Sequence, residues 1–436
     1  MEPIVILGAG ISGCGAAHRL RAQGVESVIY EKQSYAGGHT FTYKEPDGWV
    51  FDEGPHVSFT KNETVKQLLA ENVNQEFVAG KVTLNNLWKG HWIKHPAQCH
   101  LYGLPQDLIV NCIKDFVEAK KMEDGPVPNY QEWLYRAYGK TFAETFPMEY
   151  GHKYHTTPAS NMSTDWLGPR FYRPKIEEVL RGALSPEPQD VHYVTEFRYP
   201  TQNGFLAYLK KFFDDSTIKL NHKVVKIDPK KKQVRFANGI VTSYQGLVSS
   251  IPLPDLIPLI TGAPKDVQEA ARLLACTTAV IVTIGVNRID VSEAHWTYFY
   301  DRDYIFSRVS IPHLQSPNNA PKGCASIQAE CYFSKKYKPL DKDPQAYNET
   351  VISDLRRCGF IRPDDKILMT HTMVIPYANI IFDLDRAAAL KTVHSYLDDL
   401  GIAYCGRYGD WGYLWTDESL VSGENAAQKV LDRSRK

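Results

Sequence analysis

The chain begins with a segment that leaves few folds open. Val5-Ile6-Leu7 runs into Gly8-Ala9-Gly10-Ile11-Ser12-Gly13, a stretch of small residues follows, and Val28-Ile29-Tyr30-Glu31-Lys32 comes next. An apolar run enters a glycine turn, a helix leaves it, and a second apolar run ends in an acid. In that setting Gly8 permits the tight turn, Gly10 lets the backbone approach a pyrophosphate, and Gly13 lets the helix pack close to the strand. The helix N-terminus offers amide N–H groups to phosphate oxygens. Glu31 lies about 20 residues past the turn, where a carboxylate accepts hydrogen bonds from a ribose 2′-OH. A glycine turn alone occurs in ordinary α/β units. The full strand–turn–helix–strand–acid order predicts a dinucleotide-binding unit built on a parallel sheet.

The 436 residues are enough for two or three domains, or for one α/β body with an inserted lobe. Fifty Lys and Arg balance fifty Asp and Glu, so net charge gives no footing for nucleic acid or an anionic membrane. No run of about 18 apolar residues offers a membrane span, and the first apolar run is a strand rather than a leader. A cytoplasmic location is expected. The eight Cys form no CxxC pair and no Cys/His cluster with zinc spacing, so reduced thiols and no metal are expected.

The pattern along the chain is discontinuous. Residues 61–80 and 105–125 read as helices, and Leu87 to Ile93 reads as a hairpin turning at Lys89-Gly90. Residues 127–190 mix helical stretches with Pro and Gly breaks. Strand character returns at 218–227, 233–236 and 247–252, and alternation at 279–286 and 325–332 predicts a second sheet. Residues 403–430 read as strand, glycine turn and helix. These features predict three units. A nucleotide-binding unit spans 1–60, 215–255 and 400–436, a mixed-sheet substrate unit spans 61–104, 190–214 and 256–399, and a helical lobe spans 105–189.

The glycine turn, the Gly37-Gly38 step, the Val224-Val225 strand and the Gly406-Arg407-Tyr408-Gly409 turn before a helix together resemble the FAD-containing amine oxidase superfamily. Within it the chain is most similar to the UDP-galactopyranose mutases, especially the eukaryotic type. Trp166-Leu167-Gly168-Pro169-Arg170 resembles that family's W-L-G-E-R. Trp296-Thr297-Tyr298-Phe299, Phe306-Ser307-Arg308 and Ser316-Pro317-Asn318-Asn319 resemble W-L-Y-F, F-Y-R and S-P-Y-N. Gly406 to Tyr413 resembles G-R-F-G-S-W-x-Y, and His95-Pro96-Ala97-Gln98 stands where the family has Y-P-F-Q.

The resemblance implies an α/β fold with a discontinuous Rossmann-type FAD domain, a mixed-sheet substrate domain and an inserted helical lobe. It implies FAD contacts by Gly8, Gly10, Ser12, Gly13, Glu31, Lys32, Gly37, Gly38 and His39. Val224 would pack near the adenine, and Gly409 with Asp417-Glu418-Ser419 would sit at the flavin-facing turn and helix start. Arg170 and Arg308 would bind a nucleotide-sugar diphosphate, Arg407 would lie near the flavin, and His56 would lie beside its N5. Gln98, Phe146, Tyr298, Tyr377 and Tyr413 would line the substrate. Arginine suits a diphosphate because its fork makes bidentate bonds and keeps its charge. The implied activity is pyranose–furanose interconversion of a nucleotide sugar by reduced FAD acting as nucleophile, with NAD(P)H as a possible reductant. The alternative is a flavin oxidoreductase of the amine oxidase or protoporphyrinogen oxidase type, for which Trp411 and Tyr413 would supply an aromatic cage. The chain departs from the mutase pattern at Pro55, His95, Ala97, Gly151, His155 and Gln315, so flavin and diphosphate positions are kept better than base and sugar positions.

Overall fold

The computed structural model describes residues 2–122, 125–168, 171–187 and 196–434. Arg170 and the expected boundary at 189/190 lie outside the described residues. A five-stranded parallel sheet has the order Ile402–Tyr404, Gly246–Ser249, Ile4–Leu7, Ser27–Tyr30, Thr217–Lys219. Its strands come from three widely separated parts of the chain. Ile4–Leu7 is buried on both faces, as a central parallel strand requires.

The helix Ile11–Ala22 leaves the glycine turn and packs on the last helix, Thr416–Ser434. The two backbones nearly touch. A Cβ on Gly423 would stand 1.9 Å from the Ser12 carbonyl oxygen, and one on Gly15 would stand 2.2 Å from that of Leu420. Only glycine fits either place. Replacing Gly423 by alanine is expected to cost about 1–3 kcal/mol, because the helices must separate to admit one methyl group. Urea unfolding at constant m-value measures it, and a cost near zero would show that the contact yields freely.

The second sheet has seven strands in the order Ile367–Ile375, Thr277–Val286, Ala325–Ser334, Arg308–Ser310, Trp296–Phe299, Leu84–Trp88, His91–Lys94. It is antiparallel except where Leu84–Trp88 runs parallel to Trp296–Phe299. All ten residues of Ala325–Ser334 are buried. Smaller sheets pair Thr42–Glu45 with Trp49–Asp52, and Val224–Asp228 with Gln233–Phe236 and Val241–Ser243. Helices between Gln106 and Leu184 form a lobe with its own aromatic core.

Two local readings are corrected. The helix expected over 61–80 is Glu63–Asn72, capped by the Asn62 side chain and ended by left-handed Asn74 and Gln75. Phe77–Lys81 is a strand paired with Glu196–Pro200. The single run at 218–227 is two strands, because left-handed Asn221 turns the chain. Thr217–Lys219 edges the parallel sheet, and Val224–Asp228 starts the three-stranded one.

Candidate active site

The C-terminal ends of the parallel strands open onto a cavity of about 960 Å³. Gly8 stands at its glycine turn with φ +103°, a value that side chains rarely adopt. Gly13 lies beneath rather than on the cavity, where a Cβ would stand 2.0 Å from the Gly8 carbonyl oxygen. Gly10 caps the first helix without a side-chain bond, so the amides of its first turn keep no intrahelical partner. Glu31 closes the second strand. Its carboxylate accepts the Ala9 and Gln33 amides, each at 2.9 Å, and so fixes the shape of the turn.

Gly8, Gly10, Ser12, Glu31, Lys32, Gly37, Gly38 and His39 line this end, with Val224 beside them. His39 Nδ1 meets Glu53 Oε1 at 2.7 Å. At the other end the last helix begins. Asp417 and Ser419 line the cavity, whereas the Glu418 carboxylate turns back to accept the Trp415 amide at 2.7 Å and caps the helix. Gly409 also lies off the cavity, packed against Tyr404 and Ser249. The chemistry and dimensions of this trough fit a dinucleotide. The bare glycine turn and helix N-terminus suit the pyrophosphate, and the start of the last helix suits a flavin ring.

Another part of the cavity lining is set by strand register. Arg308 stands opposite Glu330 on neighbouring strands. Its Nε and Nη2 donate to the two Glu330 oxygens at 2.7 and 2.8 Å. Glu330 is buried and also accepts the Tyr332 hydroxyl. Burial opposes the Arg308 charge, and the Glu330 carboxylate outweighs that opposition and holds it firmly protonated. Arg407 differs. Its Nε and Nη2 donate to the Leu414 carbonyl at 2.9 and 2.7 Å and its Nη1 to that of Ala378 at 3.2 Å. Among the described residues no carboxylate pairs with it.

His56 lines the same cavity and feels both cations. Burial pushes its pKa down to about 4 against the pull of the Gly54 carbonyl, and the charges of His39, Arg407 and Arg308 lower it further. Nδ1 stands 2.9 Å from the Gly54 oxygen, an acceptor, so Nδ1 carries the proton and Nε2 is left as an acceptor. Tyr298, Tyr377 and Tyr413 also line the cavity. The Tyr298 hydroxyl accepts from Trp296 Nε1 at 2.9 Å, and that of Tyr413 meets Tyr154 at 3.3 Å.

Two expected substrate contacts do not reach this cavity. Phe146 is wholly buried in the lobe core between Trp88, Phe142 and Tyr300. Gln98 donates to the Tyr172 carbonyl at 3.3 Å. The aromatic cage expected from Trp411 and Tyr413 is not formed, because Trp411 is wholly buried in the core behind the parallel sheet. Glu330, Tyr332 and Tyr154 were not foreseen. The signal for the first two was a period-2 polar set, Gln328, Glu330 and Tyr332, in an otherwise apolar strand. Among the described residues no cluster of His, Cys, Asp and Glu has a metal-binding arrangement, and no helix is long and apolar enough to cross a membrane.

A family model of NAD(P)-binding Rossmann-like domains matches residues 6–71. A 1-hydroxycarotenoid 3,4-desaturase from Flavobacterium sp. (strain P99-3) is 32% identical over 102 residues, which are 23% of this chain and 18% of that protein's own length. A crystal structure of reduced UDP-galactopyranose mutase superposes with a TM-score of 0.92 at 24% identity, covering 100% of this chain and 97% of the other. A candidate protoporphyrinogen oxidase of Exiguobacterium sp. 255-15 superposes with a TM-score of 0.76 at 16% identity, covering 99% of each chain. The chain thus has the fold seen in reduced UDP-galactopyranose mutase, built on a Rossmann-like NAD(P)-binding unit.

Proposed function

We propose that this chain binds FAD and acts on a nucleotide sugar, interconverting pyranose and furanose rings with no net redox change. The observation that carries this reading is the pair of guanidinium groups lining one cavity. Arg308 is locked by Glu330 and keeps its Nη1 edge for a ligand, whereas Arg407 is held by carbonyls and the Tyr413 ring with no carboxylate among the described residues. A half-buried cation without a carboxylate is relieved by an anionic ligand, and a diphosphate supplies one.

Bound FAD in its reduced form would supply the nucleophilic electron pair. The chain's residues do the rest. Arg308 and Arg407 stabilise the negative charge that grows on the departing diphosphate, which a preorganised cation does without reorganising. They also retain that group for recombination, so the return step stays within one complex. Burial raises the pKa of Tyr154 and Tyr298, so their hydroxyls stay protonated near the leaving group. His56 stays neutral above its lowered pKa and adds no charge beside the flavin position. NAD(P)H is proposed as the reductant, sharing the same cleft, since the sequence carries no second glycine fingerprint. Net amine oxidation would draw on the Trp411–Tyr413 cage, and Trp411 is buried away from the cavity.

Purified protein is expected to show flavin absorbance. Across a panel of nucleotide sugars, turnover is expected with dithionite-reduced enzyme and none with oxidised enzyme. A substrate that bleaches the oxidised flavin anaerobically would overturn the mutase reading in favour of an oxidoreductase, and equal turnover in both states would reject the reduced-flavin mechanism.

A further inference from the structure

Tyr377 is held at two points. Its backbone carbonyl accepts the Tyr408 hydroxyl at 2.6 Å, and the Ala378 carbonyl shares that hydroxyl at 3.0 Å. Its own hydroxyl donates to Asp255 Oδ1 at 2.7 Å. Asp255 lies in the short helix Leu253–Leu256, just beyond the parallel strand Gly246–Ser249, and both residues line the cavity. Burial and the adjacent carboxylate push the Tyr377 pKa up, so the phenol keeps its proton.

A phenol has one proton to give. With that proton donated in a hydrogen bond to Asp255, the Tyr377 oxygen offers lone pairs only, and the second Asp255 oxygen is likewise an acceptor. An ionised diphosphate also has acceptors alone. It gains no bond from Tyr377 in this arrangement, and it meets a like charge at Asp255. A sugar or ribose hydroxyl, or an amine, donates to both oxygens without disturbing either side chain. We infer that Asp255 withholds the Tyr377 hydroxyl from anions, so that this Tyr–Asp pair takes a hydroxyl-bearing part of the ligand and the diphosphate is left to the Arg308 and Arg407 guanidinium groups. The inference rests on the nucleotide-sugar reading and replaces the diphosphate role that the family resemblance implies for Tyr377.

Inorganic pyrophosphate and UDP are the probes, titrated calorimetrically into FAD-loaded protein. Asp255→Ala is expected to tighten pyrophosphate about fivefold or more, because it removes a like charge and frees one donor. Tyr377→Phe alone is expected to leave pyrophosphate affinity within about twofold. The double variant Asp255→Ala/Tyr377→Phe is expected to lose most of the gain. Asp255 is exposed, so its replacement does not threaten the fold. The inference is overturned if Tyr377→Phe alone weakens pyrophosphate about fivefold, or if Asp255→Ala leaves its affinity unchanged. UDP binding that depends on Arg308 but ignores both Asp255 and Tyr377 would sink this inference alone. Failure of wild type and Asp255→Ala to bind either probe would sink it together with the nucleotide-sugar reading.

Discussion

Replacing Arg308 by alanine together with Glu330 by glutamine is expected to lower nucleotide-sugar turnover by about 10²-fold or more in a protein that remains folded. The second substitution matters. Glu330 is only 2% exposed, and Arg308→Ala alone would strand its carboxylate in the core. Breaking a buried pair from one side costs roughly 3–5 kcal/mol unless the remaining group neutralises itself. Lost activity in the single variant would then mix chemistry with unfolding. Glutamine at 330 removes the stranded charge and still accepts the Tyr332 hydroxyl. Measuring kcat/KM under dithionite beside urea unfolding separates the two effects. A loss below about threefold in the folded double variant would remove Arg308 from the proposed machinery.

The second large effect is acid lability. Burial pushes His155 down to about 3 and His313 to about 4. Both rings are buried, and among the described residues His155 Nδ1 has no hydrogen-bond partner. Between the unfolded value of about 6.5 and these lowered values, the native state binds fewer protons than the unfolded chain. Their full contribution is therefore present above pH 6.5 and is lost as pH falls. Each histidine costs on the order of 3 kcal/mol by pH 4. Asp52 acts in the opposite sense. Burial raises it to about 6 against the bonds it accepts from Thr42, Tyr199 and Phe205, so its ionisation weakens the fold as pH rises toward 6. A raw stability profile therefore mixes both signs, and the readout is a difference. His155→Phe is expected to shrink the loss of stability between pH 7 and pH 5 by about 2 kcal/mol. An unchanged pH 7-to-5 difference would mean that His155 takes up its proton equally in the native and unfolded states.

What the sequence disclosed, and what it hid, follows from the reach of each interaction. The glycine turn and Glu31 were legible because their chemistry is local: Glu31 bonds the very turn it follows. The discontinuous sheet was legible because each strand carries its own apolar run. Pairings across long stretches of chain left no such trace. Glu330 met Arg308 through strand register, and Asp255 met Tyr377 over 122 positions. Phe146 and Gln98 matched a motif, but the motif is silent on which face of the lobe packs inward. Trp411 was misread for the same reason. It looked like a ring at the flavin turn, and the turn carries it into the core with a left-handed backbone. The helix over 61–80 failed at Asn74 and Gln75, where backbone conformation overrode an unbroken composition.

The five parallel strands have a further consequence for how the molecule is made. One edge of that sheet is Ile402–Tyr404, and the helix that presses on the first one begins at Thr416. During synthesis the strand Ile4–Leu7 leaves the ribosome long before Ile402–Tyr404 and the helix from Thr416 exist to complete its layer. The intervening seven-stranded sheet and the lobe have mostly nearer partners and can assemble in that interval. Nascent-chain pulling or pulse-labelled proteolysis should therefore find the middle of the sequence protected first, with the nucleotide trough acquired last.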